Sequence, residues 1–120
     1  VRMLWHGERG TVLGVMGRLR EAVHSYDEGI AAARRAGLPD GEARQLLNCA
    51  VSLRQGGQLD RALALGRRGL AMAPRDDDTR LSLIHRLIVA RDLSETGHFD
   101  EALAMLDDIE ALAAASAPFW

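Results

Sequence analysis

Gly17-Arg18-Leu19-Arg20-Glu21-Ala22, Gly57-Gln58-Leu59-Asp60-Arg61-Ala62 and Gly97-His98-Phe99-Asp100-Glu101-Ala102 are one motif written three times, forty residues apart. Upstream of each, Leu13, Leu53 and Leu93 keep one interval, and a small residue recurs at Gly10, Ala50 and Ala90. A fixed period of this length marks a stacked array, in which each unit buries its apolar face on the next. Such arrays present extended surfaces to other macromolecules and seldom carry chemistry themselves.

At 120 residues the chain has the length of one domain, and three units of forty account for all of it. Hydrophobic residues make up 48%, much of that Ala and Leu, while aromatics reach only 4%. That mixture suits close-packed helices, where Ala lets backbones approach and Leu fills the gaps. All fifteen basic residues are Arg, which reads as the codon bias of a GC-rich bacterial genome rather than as phosphate recognition. Seventeen acidic residues bring the net charge to -2, arguing against a broad electrostatic grip on nucleic acid or an anionic membrane. Cys49 is the only cysteine, so no intrachain disulfide can form. No apolar run approaches the roughly 20 residues that span a bilayer, and His6, Glu8 and Arg9 interrupt the apolar start before a signal segment forms. A cytoplasmic location is the expectation. A chain beginning at Val1 fits a fragment and a frame opened at a GTG codon equally.

Six amphipathic helices in three hairpins are the economical reading. Asp40 is expected to cap a helix over roughly 41–55, with Gly37-Leu38-Pro39 closing the helix before it. Gly56-Gly57 breaks that helix, and a second runs from about Leu59 to Met72, ahead of Pro74. The third hairpin opens at Asp76-Asp77-Asp78-Thr79, read as a cap with favourable first-turn charges. The loop lacks the alternating ligands and closing Glu of a calcium site. Its helix is expected to reach about Thr96, and Phe99 to about Ala115 forms the last one. In the first hairpin, Leu19 to Ala36 reads as a good helix. Its partner carries Gly7, Gly10 and Gly14, each costing about 1 kcal/mol against Ala, so a helix that is short, frayed or strongly dependent on its neighbours is expected there.

These residues resemble the tetratricopeptide repeat, a helix–turn–helix unit usually 34 residues long. Its first small position corresponds to Gly10, Ala50 and Ala90, its second to Ala22, Ala62 and Ala102, and its third to Gly29, Gly69 and Ile109. Tyr26 and Leu106 suit its large position and Gly66 does not, while Pro74 alone matches its terminal proline. The family's Trp is missing from every first helix, where His6, Leu46 and Arg86 stand instead. The longer period is similar in style to repeats in bacterial transcriptional regulators and signalling ATPases. The resemblance implies an all-α, right-handed superhelical α-α solenoid of three repeats, approximately 1–38, 39–75 and 76–120, forming one domain. It also implies a non-catalytic scaffold without cofactors that binds a protein or peptide.

In that family the first helices line a concave groove. The positions facing it correspond to Arg44, Leu47, Val51, Arg54 and Gln55 in the second unit, and to Ile84, Leu87, Arg91, Ser94 and Glu95 in the third. Apolar contacts mixed with three guanidinium groups suit a peptide bearing some carboxylates. The plainer account of Leu47, Val51, Ile84 and Leu87 is packing between helices. The Lys-and-Asn clamp with which some members grip a C-terminal carboxylate does not carry over, since Asn48 is flanked by Leu47 and Val51 and the chain has no Lys.

Catalytic readings find little support. His6, His24, His85 and His98 are scattered, with no pair at the spacing of a helical zinc site. His24 and His98 are expected in solvent, His85 on a helix flank, and Cys49 as a small buried filler. Arg34-Arg35 and Arg67-Arg68 lie late in second helices, where they complement the helix dipole.

The last helix carries Phe99, Leu103, Leu106 and Ile109, and the chain closes on Phe119-Trp120. An apolar stripe with nothing polar after it is uncommon on a monomer: either Phe119 and Trp120 fold back over it, or another chain covers it, or the natural protein continues, and self-association as a two-fold dimer is the expectation. A structural homo-oligomerisation domain is therefore the second reading of function.

Overall fold

The computed structural model describes residues 2–72 and 79–115. Six α-helices and no strand occur among them: α1 (Arg2–Val15), α2 (Leu19–Arg35), α3 (Pro39–Gln55), α4 (Leu59–Met72), α5 (Thr79–Glu95) and α6 (Phe99–Ala115). The all-α class read from the sequence is observed. From α2 onward the helices begin every twenty residues, so the forty-residue period is two helix-plus-turn steps.

One turn is used at each described junction. Gly17, Gly37, Gly57 and Gly97 have φ of 81°, 68°, 80° and 85°, a left-handed conformation that a Cβ resists. At the first, the Gly17 amide donates to the Gly14 carbonyl at 3.0 Å and the Arg18 amide to the Leu13 carbonyl at 2.9 Å. This paired closure satisfies carbonyls that the helix end leaves orphaned. The same pair of bonds recurs from Gly37 and Leu38, from Gly57 and Gln58, and from Gly97 and His98. Leu13, Ala33, Leu53 and Leu93, all buried, accept the longer-range bond. Thus the leucines that keep one interval in the sequence are both core residues and anchors of the turn.

The helix starts differ in one respect from expectation. Leu38, not Asp40, occupies the cap of α3, and Pro39 takes the first helical position, where its missing N–H costs nothing. Asp40 lies inside the first turn and acts through the dipole instead. The Asp76–Asp78 cap lies outside the described residues.

The chain divides into two compact units, Val1–Ala73 with the first four helices and Pro74–Trp120 with the last two. In the first unit, α1 packs on α2, α2 on α3, α3 on α4, and α1 also meets α3. First helices of successive repeats therefore lie side by side, as stacking requires. Tyr26, Cys49, Leu53 and Ala62 form the core there, with Leu19, Val23 and Leu65 against it.

Helix α1 is a regular helix of 14 residues, neither short nor frayed, and of the three expectations dependence on its neighbours is the one observed. Its glycines are contact points. A Cβ on Gly10 would stand 3.0 Å from three atoms of the Tyr26 ring, and one on Gly7 would meet the Gln45 side-chain amide at 2.5–2.9 Å. Propensity undervalues such residues, because the backbone they leave bare is covered by a neighbouring helix rather than by water. Thr11 fixes the crossing: its hydroxyl donates to the Gly7 carbonyl at 3.1 Å and lies 2.8 Å from the Tyr26 hydroxyl.

In the second unit, Leu83, Ile109 and Ala113 form the core, with Met105 and Leu112 packed against them.

Candidate functional site

The second unit carries an open hollow of about 530 Å³, walled by α5 and α6. Leu87, Ala90, Arg91, Ser94 and Glu95 come from α5, and Phe99, Ala102, Leu103 and Leu106 from α6. Ala90 and Ala102 are buried and make the floor, while Phe99 and Leu103 stand 62% and 60% exposed on the wall. Arg91 and Glu95, one turn apart, put a cation and an anion beside this apolar ground. Such a surface suits a mostly apolar segment with a few polar groups, the composition of an amphipathic partner helix.

The hollow joins residues that the sequence reading kept apart. Leu87, Arg91, Ser94 and Glu95 were expected in a peptide groove, and Phe99, Leu103 and Leu106 on a self-association stripe; here they line one site. Ile109 does not belong to that stripe. It is buried with Leu83 and Ala113, so it holds α6 on α5 instead of facing outward. Phe119 and Trp120 lie outside the described residues.

In the first unit the expected groove residues separate. Arg44 and Gln55 are exposed on α3, Val51 and Arg54 are half-buried, and Leu47 is 6% exposed. Leu47 lies against Gly69 of α4, where a Cβ would come within 2.7 Å of its Cγ. It therefore packs the α3–α4 crossing. Leu87, its equivalent forty residues on, is 42% exposed. The position that is Gly69 in the second repeat is Ile109 in the third, so the third repeat lacks the bare backbone on which Leu47 lies.

Elsewhere the charged and nucleophilic groups have structural work. Arg34 donates from Nε to Glu42 Oε2 at 2.7 Å, tying α2 to α3, so this arginine does more than complement a dipole. Arg9 reaches the Ser25 hydroxyl at 2.5 Å. His24 lies 3.7 Å from Glu28 and His98 Nδ1 lies 2.9 Å from the Thr96 hydroxyl, both at the surface as expected. His85, expected on a helix flank, is buried. Burial pushes the Cys49 thiol up to about 12, with Asp27 adding to the effect and Arg61 opposing it, so the thiolate a nucleophile needs is disfavoured. Among the described residues no cluster of His, Cys, Asp and Glu is arranged to hold a metal ion. No described helix is long and apolar enough to cross a membrane.

The sequence reading passed over α1. Trp5, Val12 and Met16 are each more than half exposed. The signal was available: they sit forty residues before Gln45, Ser52 and Gly56, the side of α3 that faces the first repeat.

Helical hairpins that cross on small residues and repeat at a fixed interval define a helical-repeat protein. A family model described as Tetratrico peptide repeat matches residues 5–118. The chain belongs to the tetratricopeptide repeat family, whose members are generally protein-interaction scaffolds. No curated protein and no solved structure shows a significant match to it.

Proposed function

We propose that this chain is a non-catalytic protein- or peptide-binding module, and that the α5–α6 hollow is where its partner docks. The observation that carries this reading is the group of Leu87, Phe99, Leu103 and Leu106, four large apolar side chains exposed around one concave surface. Monomeric proteins seldom leave such side chains together in water. The partner is an apolar-faced helix or extended segment whose few charges meet Arg91 and Glu95. The module serves as the sensor part of a larger bacterial signalling or transcription regulator in the cytoplasm, where a single unpaired cysteine is at home. Nucleic acid and membrane are not its direct ligands, in keeping with a net charge of -2.

Selection of a displayed peptide library on the immobilised chain tests this reading, followed by backbone amide shift mapping with the peptides recovered. Shifts should gather on α5 and α6 around Leu87, Leu103 and Leu106. Leu103→Asp should weaken binding by roughly 10–100-fold, the loss of one buried leucine. Peptides that bind equally well to Leu103→Asp and Leu87→Asp would show that the hollow is not the docking site.

A further inference from the structure

The forty-residue equivalence says what kind of element fits the hollow, because the same face is covered in the first repeat. In the first repeat the corresponding positions are Gly7, Gly14, Leu19, Val23 and Tyr26, and α3 lies on them. Gly7 faces Gln45, Gly14 faces Ser52 Oγ, and the Leu19 side chain reaches to Gly56. Val23 and Tyr26 pack with Cys49 and Leu53. The seat is thus built for the first helix of a repeat, which presents the side that carries Gln45, Ser52 and Gly56.

Helix α1 presents that same side, with Trp5, Val12 and Met16 in those places, and leaves it open. We propose that α1 of one copy docks in the α5–α6 hollow of a second copy, extending the stack head to tail. This rests on the hollow being a docking site, and it names the partner. Sizes match the altered seat. Where Gly7 and Gly14 let α3 come close, Leu87 and Ser94 hold an incoming helix further off. Trp5, Val12 and Met16 are each bulkier than Gln45, Ser52 and Gly56 in turn, so they span the wider gap. Helix separation follows the side chains at the contact, so a larger pair of surfaces meets at a larger distance. The two surfaces differ and lie on different parts of the chain, so the contact is heterologous. Assembly is then head to tail, as an open series or a closed ring, not the two-fold dimer expected from the sequence.

Sedimentation velocity over a wide concentration range tests it with Val12→Asp, which spoils α1, and Leu103→Asp, which spoils the hollow. Wild type should form a series of species whose mean mass rises with concentration. Each variant alone should run as a monomer with unchanged helical circular dichroism. An equimolar mixture should give a species of twice the chain mass and nothing larger, since one intact surface remains on each variant. Val12→Arg and Leu103→Arg repeat the test should either aspartate variant lose its fold. Three results would overturn the proposal: wild type monomeric at every concentration, a variant pair that fails to complement, or assembly lost in Leu103→Asp but kept in Val12→Asp. The last would mean α6 pairing with α6. A monomeric wild type that still binds selected peptides through the hollow would leave the peptide-binding reading standing and remove this one.

Discussion

Changing Gly69 to Ala inverts the usual expectation for a glycine inside a helix. On propensity alone the substitution should stabilise α4 by about 1 kcal/mol. In place, the added Cβ would lie 2.7 Å and 2.9 Å from Leu47 Cγ and Cδ2, and 3.2 Å from the Ala43 carbonyl oxygen. The first is the branch point of a buried side chain and the last is backbone, so neither yields easily. Overpacking of this kind costs about 1–3 kcal/mol, and these contacts put it in the upper half. The net result is a loss of about 1–2 kcal/mol. For a unit of this size that lowers the melting temperature by roughly 4–16 °C, read by circular dichroism or calorimetry. Leu47→Ala alone should cost about 2–5 kcal/mol through the cavity it leaves. In the double variant the new methyl enters that cavity, so the two losses should fall short of their sum by about 1–3 kcal/mol. A Gly69→Ala protein as stable as wild type, or more so, would refute the close α3–α4 crossing.

Two further outcomes follow from the turn and the core. Gly57→Ala meets no neighbouring atom yet must hold φ near 80°, so it should lose about 1–2 kcal/mol, and Gly57→Asn should lose less, as thermal melts will show. Cys49, raised from its ordinary 9.0 to about 12, stays a neutral thiol in the fold while the unfolded chain releases its proton. Its contribution is therefore intact below pH 9.0 and is lost as pH rises from there toward 12, so urea midpoints should fall over that window in wild type and fall less in Cys49→Ala. The same burial predicts that thiol reagents label the native chain no faster than it opens.

Period and turns were legible because they rest on backbone rules: glycine is the one residue at ease with positive φ, and it recurs at Gly17, Gly57 and Gly97. The boundaries of α4 and α6 follow from those glycines and from Pro74. Helix α1 keeps its length because Gln45 and Tyr26 cover the backbone that Gly7 and Gly10 leave bare, which is the dependence on neighbours that its glycines imply. The site was only half legible. Periodicity assigns Leu47 and Leu87 to one face, but it cannot tell that the first is buried against Gly69 while the second, opposite a repeat with Ile109 in that place, stays exposed. Exposure here depends on a residue in the partner helix, at a long separation along the chain. Trp5, Val12 and Met16 were missed for a related reason, since their meaning appears only once α3 shows what that side of a first helix touches.

Because the bend inside a hairpin and the bend joining the first hairpin to the second share one geometry, the main chain does not record which helix opens a repeat. That distinction is written in side chains alone. Excising Leu19–Leu38 would join Arg18 to Pro39 with one glycine bend, at Gly17, left at the splice and the helix cadence preserved. Only mismatched surfaces would then oppose the shortened protein, which makes helix gain or loss in twenty-residue steps an easy path for this architecture to change length.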